Sequence, residues 1–124
     1  MVGEGLGARG CERVTAREFR KLALSFPETS AATHQGHPDF RVAGRIFATL
    51  GYPTAGWAMV KLTPEQQELF VRAQPLAFAP VKGGWGLRGA TQVRLRVAKK
   101  GAVREALGMA SRNRAPKGLP ADPR

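Results

Sequence analysis

Cysteine and histidine, the residues that supply most metal sites and many nucleophiles, are almost missing from this chain. Cys11 is the single cysteine, so no internal disulfide framework can form. It lies in a glycine-rich leader, residues 1–13, that we expect to be mobile. No histidine lies near it in sequence to activate its thiol, so we do not expect a catalytic cysteine.

Long apolar runs are also missing. No stretch approaches the roughly 20 consecutive apolar residues that a membrane helix needs. The first dozen residues lack the apolar segment of a secretion signal. We therefore expect a cytoplasmic protein with no membrane partner.

Acidic residues are scarce and almost vanish in the second part of the chain. The formal net charge is +11, and residues 82–124 hold eleven Lys or Arg against two Asp or Glu. Base composition would explain an excess of Arg over Lys, but not this loss of acidic residues. A one-sided positive field attracts polyanions, which favours a nucleic-acid partner. A basic surface that is merely solvated is the alternative.

Two capping boxes, at residues 15–18 and 63–66, predict where helices begin. In each, a threonine hydroxyl can accept the third helical N–H while Glu or Gln reaches back to the threonine N–H. Apolar residues at helical spacing follow each box and recur after Gly101. We predict a first helix stopped by Pro27, a second ending near residue 73 and a third stopped by Pro116. In the second helix we expect three apolar residues to be buried: Leu69, Phe70 and Ala73.

Alternating apolar and polar residues predict five strands. They cover residues 39–42, 45–50, 57–62, 78–81 and 92–97. Ala43 and Gly44 fit a tight hairpin turn, and the composition of residues 27–38 predicts a loop. The order α-β-β-β-α-β-β-α predicts an α+β fold, a two-layer sandwich with an antiparallel sheet and helices on one face. We expect one domain, residues 14–119, between the leader and a polar tail at 120–124.

The loop that holds both histidines is the one candidate for a metal centre or for acid–base catalysis. His34, His37 and Asp39 are loosely spaced, and no further ligand completes a tetrahedral site. No nucleophile that a histidine could activate is evident. We therefore expect no metal, no cofactor and no enzymatic activity, and assign this loop to setting up the hairpin.

Four glycines between residues 82 and 89 invite comparison with a phosphate-binding loop. In such a loop the lysine and a Ser or Thr follow the last glycine at a helix start. Here Lys82 comes first and a strand is predicted to follow. We interpret the segment as a flexible, basic turn, and expect Trp85, taken alone, to pack on the core.

The densest cationic segment runs from Lys82 to Lys100. A phosphate backbone lying beside an aromatic stacking platform would suit its many cations and Trp85. A charged edge that prevents sheet aggregation is the alternative. The cations of this segment, with two near the end of the last predicted helix, are Lys82, Arg88, Arg94, Arg96, Lys99, Lys100, Arg112 and Arg114.

Several segments, taken in order, resemble the MmcQ/YjbR family of small bacterial proteins. They are FRKLALSFPET, HPDFRVAGRIFATL, WAMVKLTPEQQELF, GGWG and SRNRAPKGL, and the resemblance extends over residues 15–119. It implies a CyaY-like, or frataxin-like, α+β fold. Members of that family are commonly labelled DNA-binding, a label that rests largely on fold similarity.

The family's motifs add two residues to the candidate site. Its hairpin motif matches residues 40–45, with Arg45 in place of a lysine, and its strand lysine matches Lys61. Its Gly-Trp pair matches Gly84 and Trp85, but this chain inserts residues 86–89 before the next strand, so that strand's start stays open. The resemblance places Arg45 and Lys61 on neighbouring strands, where they join the predicted nucleic-acid-binding set with Trp85.

A frataxin-like fold also implies an acidic iron site along the first helix. That helix offers Glu18 among Arg17, Arg20 and Lys21. Hard cations need several carboxylate oxygens, so we reject iron binding for this chain.

The sequence therefore predicts a nucleic-acid-binding protein with weak sequence preference. Duplex DNA is the first candidate, with single-stranded DNA and RNA as further ones. One alternative is a protein-interaction module whose basic face meets an acidic partner. The other is an unrecognised enzyme or a small-ligand binder, which predicts a concave pocket with convergent polar groups near His37, Arg41 and Lys61.

Overall fold

A computed structural model describes residues 14–34, 36–52 and 54–116. The predicted leader with Cys11 and the polar tail lie outside these residues. The helices are α1 (Ala16–Ala23), α2 (Pro64–Ala73), α3 (Gly84–Leu87) and α4 (Lys100–Arg114). The strands are β1 (Thr29–His34), β2 (His37–Val42), β3 (Arg45–Leu50), β4 (Trp57–Lys61), β5 (Phe78–Pro80) and β6 (Ala90–Arg94).

The six strands form one antiparallel sheet in the order β1-β2-β3-β4-β6-β5. Helix α4 packs against β3 and β4, α1 packs against α4 and β3, and α2 packs against β5 and β6. These three helices cover one face of the sheet, which confirms the α+β class and the antiparallel sheet. We call the other face the open face.

The core lies between the sheet and the three long helices. Its largest fully buried side chains include Phe19 from α1, Phe40 and Phe47 from the sheet, and Leu107 from α4. The predicted apolar stripe of the last helix is confirmed, since its four residues are fully buried: Val103, Ala106, Leu107 and Ala110. Burying such side chains contributes about 1.5–3 kcal/mol each, so this layer supplies most of the stability.

Local signals in the sequence position the ends of these elements. Both capping boxes are present: the Thr15 hydroxyl accepts the Glu18 N–H at 3.0 Å, and the Thr63 hydroxyl accepts the Gln66 N–H at 3.1 Å. Ala43 and Gly44 have φ values of 51° and 81°, as a two-residue hairpin turn requires. The turn brings β3 back along β2.

The prediction of a loop at residues 27–38 was wrong. Thr29–His34 forms β1, and β2 begins at His37 rather than Asp39. The two strands pair along their full length, from Thr29 with Val42 to His34 with His37. An edge strand pairs on one side only, so small and polar residues suffice and leave little apolar signal.

Two other details also differ from the prediction. In α2 only Phe70 is buried, while Leu69 is 62% exposed and Ala73 is exposed. Strand β6 ends at Arg94, and residues 95–97 turn away, leaving Val97 44% exposed. Apolar and polar residues continue to alternate through this turn. The predicted strand was therefore three residues too long at its end.

The glycine-rich segment is more ordered than a flexible turn. Residues 84–87 form the short helix α3, which was not predicted. A Cβ on Gly86 would lie 1.7 Å from the Val81 carbonyl oxygen, and one on Gly89 would lie 1.9 Å from that of Leu62. These two glycines therefore let α3 pack directly on the backbone at the end of the sheet.

Candidate nucleic-acid interface

Strand β4 places Lys61 on the open face of the sheet. Ala58 and Val60 point into the core and are fully buried, so alternation sends Trp57, Met59 and Lys61 to the other side. Opposite Lys61 in the register is Ala90 of β6. This small residue leaves room above the sheet, and α3 fills part of it.

Helix α3 brings Trp85 over Lys61. The Lys61 Nζ atom lies 4.8 Å from the centroid of the Trp85 ring, and the Arg88 guanidinium carbon lies 5.7 Å from it. Both distances are in the range of cation–π contacts. Trp85 remains 58% exposed, so the expectation that it packs on the core was wrong.

The end of α4 brings a third cation, Arg114, close to Lys61 and Arg88. Asn113 donates to the Lys61 carbonyl at 3.1 Å and to Gln66 Oε1 at 2.8 Å, which fixes the last turn of α4 beside β4. Arg114 then lines the same cleft as Arg88 and Lys61. We call Lys61, Trp85, Arg88 and Arg114 the Lys61 cluster.

The Lys61 cluster separates two clefts. The apolar cleft, of about 320 Å³, is lined by His37, Ile46, Thr49, Tyr52, Met59, Lys61, Val81, Trp85 and Ala90. The cationic cleft, of about 370 Å³, is lined by Lys61, Leu62, Thr63, Pro64, Trp85, Arg88, Ala90, Asn113 and Arg114. Lys61, Trp85 and Ala90 belong to both, so the clefts share a wall.

Charge in the cationic cleft is one-sided. No Asp or Glu is among the described residues that line either cleft. Burial, and next the nearby positive charge of Arg114, lower the pKa of Lys61 below its ordinary value. The Nε atom of Arg114 is buried and has no hydrogen-bond partner among the described residues. An anion seated here would offset the positive charge that Arg114 exerts on Lys61.

Gln67 holds α3 in place from the helix-covered side. Its Nε2 atom lies 3.1 Å from the Gly86 carbonyl oxygen, 2.9 Å from that of Ala90 and 3.2 Å from Thr91 Oγ1. These contacts join α2, α3 and β6. Gln67 therefore anchors Gly86, the residue that follows Trp85.

A second group of predicted site residues lies at the opposite end of the molecule. Arg94 is opposite Trp57, the first residue of β4, and its guanidinium carbon lies 5.7 Å from that ring's centroid. Since β4 rises about 3.3 Å per residue, Arg94 is separated from Lys61 by roughly the length of the strand. We call Arg94, Arg96, Lys99 and Lys100 the Arg94 group.

The Arg94 group is less one-sided in charge. Lys100 Nζ lies 3.7 Å from Glu18 Oε2. Glu18 also lines a depression there with Trp57 and Arg96. Lys99 precedes α4, whose 15 residues extend about 1.5 Å each, so this group is far from Arg112 and Arg114. The predicted set is thus divided between two ends.

The remaining predicted residues lie near the Lys61 end. Lys82 is exposed and follows Val81, which lines the apolar cleft. Arg112 is exposed in the last turn of α4. Arg45 pairs in register with Val42, whose side chain is buried under the helices. Arg45 therefore leaves the sheet on the helix-covered side, and does not lie beside Lys61 on the open face.

The candidate metal residues take up other contacts. Asp39 is fully buried and accepts two hydrogen bonds from Arg41, at 2.9 and 3.2 Å. His37 lines the apolar cleft and stacks edge-on with Tyr52 at 6.5 Å between ring centroids. Within residues 14–34, 36–52 and 54–116, no three His, Cys, Asp or Glu side chains are grouped to hold a metal ion. Over the same residues, no helix is long and apolar enough to span a membrane.

Sequence reasoning missed several residues that build the clefts. Tyr52 and Asn113 carry no motif, and their role depends on contacts between distant segments. Ile46 and Thr49 were assigned to a strand, and only the bulge between β2 and β3 decides that both face the cleft. His37, by contrast, was identified in the sequence, both as a candidate metal ligand and as a residue near the pocket of a small-ligand binder.

Comparison with known proteins now identifies the family. Residues 24–110, more than two thirds of the chain, match the YjbR family model. The chain belongs to the YjbR family. This confirms the resemblance found in the sequence, and the matched residues include β1–β6 and most of α4. No match was found among curated proteins.

A solved structure supports the fold. Deinococcus radiodurans protein DR2400, described as a DUF419 domain, superposes on this YjbR-family chain with a TM-score of 0.65 at 18% sequence identity. The match covers 80% of this chain and 77% of that one. At this identity the likeness shows the shared fold alone. The predicted likeness to frataxin stays a prediction.

Proposed function

We propose that this YjbR-family protein binds nucleic acid with weak sequence preference and carries out no chemistry on it. The observation that supports this proposal is the Lys61 cluster. Two cations lie over one exposed tryptophan and a third lines the same cleft, and no carboxylate lines either cleft among the described residues. Lys and Arg neutralise backbone phosphates, and an exposed aromatic ring can stack on a base.

The distribution of charge favours the Lys61 end over the Arg94 end as the main contact. Lys61 is held partly buried beside Arg114 at a cost in free energy, as its lowered pKa indicates. Lys100 already has a carboxylate partner in Glu18. A phosphate therefore gains more at the Lys61 cluster, and the Arg94 group serves as a secondary contact.

Sequence readout is not part of this proposal. The major groove is read by an α-helix or a two-stranded ribbon that lies in it, and the helix that carries Trp85 has only four residues. The affinity is expected to come from phosphates and stacking, both of which are common to all sequences.

The test is a binding panel at physiological salt. Duplex DNA, single-stranded DNA, single-stranded RNA and heparin are compared by gel shift or fluorescence anisotropy at matched charge. We expect at least one nucleic acid to bind about tenfold more tightly than heparin. Equal affinity for heparin would reduce the proposal to nonspecific charge and favour an acidic protein partner, and no binding to any nucleic acid would overturn it.

A further inference from the structure

The two clefts beside Trp85 are of a size that suits one small ligand. They have volumes of about 320 and 370 Å³, and sites for small molecules begin at about 300 Å³. Because they share Lys61, Trp85 and Ala90, a ligand can place one part in each. The parts must differ in chemistry, since the two linings differ.

The apolar cleft suits a flat ring. Its floor is built by Met59, Val81 and Ala90, which form a buried apolar cluster separate from the main core. Trp85 supplies an aromatic wall, and aromatic rings gain about 1–3 kcal/mol by stacking on a base. His37 and Tyr52 on the lining can exchange hydrogen bonds with polar edges of such a ring.

The cationic cleft suits a phosphate. Lys61, Arg88 and Arg114 all line it, and the buried Nε of Arg114 lacks a partner among the described residues. A terminal phosphate, as on a mononucleotide, carries nearly two negative charges and three acceptor oxygens, so it matches three convergent cations better than a carboxylate, which offers one charge and two oxygens. A phosphodiester within a strand carries one charge, and the neighbouring phosphates of the strand supply further charge.

We propose that the two clefts together form a site for a single unstacked nucleotide, with its base in the apolar cleft and its phosphate in the cationic cleft. This inference rests on the proposed function for the choice of phosphate as the anion. It adds the class of ligand, a nucleotide whose base is free of pairing. Such a nucleotide is either a free mononucleotide or one position of a single strand.

The test blocks the apolar cleft without changing any charge. Thr49 is a partly buried cleft residue near the end of β3, and strands accommodate aromatic residues well, so Thr49→Phe fills the cleft. Ser30→Phe is the matched control, because Ser30 is exposed on β1 and lines neither cleft. Calorimetry measures the binding of adenosine 5′-monophosphate, adenosine and inorganic phosphate to the full chain.

We expect the monophosphate to bind the wild type about tenfold more tightly than either adenosine or inorganic phosphate alone. Thr49→Phe should weaken that binding by about tenfold or more, while Ser30→Phe should change it by less than about twofold. If Thr49→Phe does not fold, Trp85→Leu replaces it, since Trp85 is largely exposed. If Trp85→Leu also loses affinity for adenosine 5′-monophosphate, the result supports the site in the same way.

Oligonucleotide arms separate this inference from the function on which it rests. A single-stranded oligonucleotide that binds wild type but loses affinity with Thr49→Phe places the nucleotide within a strand. Monophosphate binding with no binding of duplex DNA, single-stranded DNA or RNA supports the site for a free nucleotide and overturns the proposed function. Oligonucleotide binding that is equal in wild type and Thr49→Phe, with no binding of the monophosphate, overturns this inference and leaves the proposed function standing.

Discussion

Changing Lys61 and Arg88 together to Gln removes two of the three cations of the Lys61 cluster and keeps the sheet intact. Arg88 is exposed, and Lys61 sits at the last position of β4 with its charge disfavoured by burial and by Arg114. Neither residue is part of the main core. A loss of nucleic-acid affinity in this variant would therefore report on phosphate contacts and not on unfolding.

The expected magnitude follows from counterion release. Each phosphate neutralised on a single strand contributes about 0.7 to the slope of log affinity against log salt. Losing two contacts should lower that slope by about 1.4 and weaken binding roughly 25-fold at 0.1 M salt, if counterion release were the whole effect. Loss of the contacts around Trp85 would add to this.

The assay is fluorescence anisotropy with a labelled single-stranded oligonucleotide across a series of salt concentrations. The matched control is Arg94→Gln with Arg96→Gln, which removes the same charge from the Arg94 group. We expect this control to weaken binding by only about two- to fivefold, as for secondary contacts in a long-range field. Equal slopes and affinities in the two double variants would refute the assignment of the main contact to the Lys61 end.

Three further predictions concern the scaffold of the Lys61 cluster. Gly86→Ala should destabilise the fold by about 1–3 kcal/mol in urea unfolding, because its Cβ would overlap a backbone carbonyl, whereas Gly84→Ala, with open space around it, should not destabilise. Lys61→Met should be at least as stable as wild type at neutral pH, because burial and Arg114 lower the pKa of Lys61 and so make its charged form unfavourable. That advantage should shrink as the pH rises through the folded pKa, since wild-type Lys61 then loses its proton; a marked destabilisation at neutral pH would contradict the reasoning. Thr63→Ala should cost about 1 kcal/mol by removing the α2 cap, and an unchanged unfolding midpoint would show that the cap contributes nothing.

The features that the sequence predicted well depend on neighbouring residues. Both capping boxes formed because a threonine and a Glu or Gln three positions later need only a helical turn to meet. The buried stripe of α4 followed from apolar residues at helical spacing, with Val103 and Leu107 as examples. Such local signals act whatever the rest of the chain does.

The features that were missed depend on distant contacts. Strand β1 exists because β2 pairs with it, and α3 exists because Gly86 and Gly89 fit against backbone carbonyls elsewhere. The cationic residues were all identified, but their division between the two ends requires the register of β4 and β6. The clefts could not be predicted from the sequence, because their walls are formed jointly by α3, the end of α4 and the open face of the sheet.

The proposed function requires contact between nucleic acid and the Lys61 cluster. The two tryptophans report on the two ends of the open face, Trp85 in the Lys61 cluster and Trp57 beside Arg94. Their indole N–H resonances can be followed together by NMR while a single-stranded oligonucleotide is added to the ¹⁵N-labelled protein. We predict a saturable shift of the Trp85 resonance that salt reverses, with little change at Trp57. A shift confined to Trp57, or binding that moves neither resonance, would contradict the account.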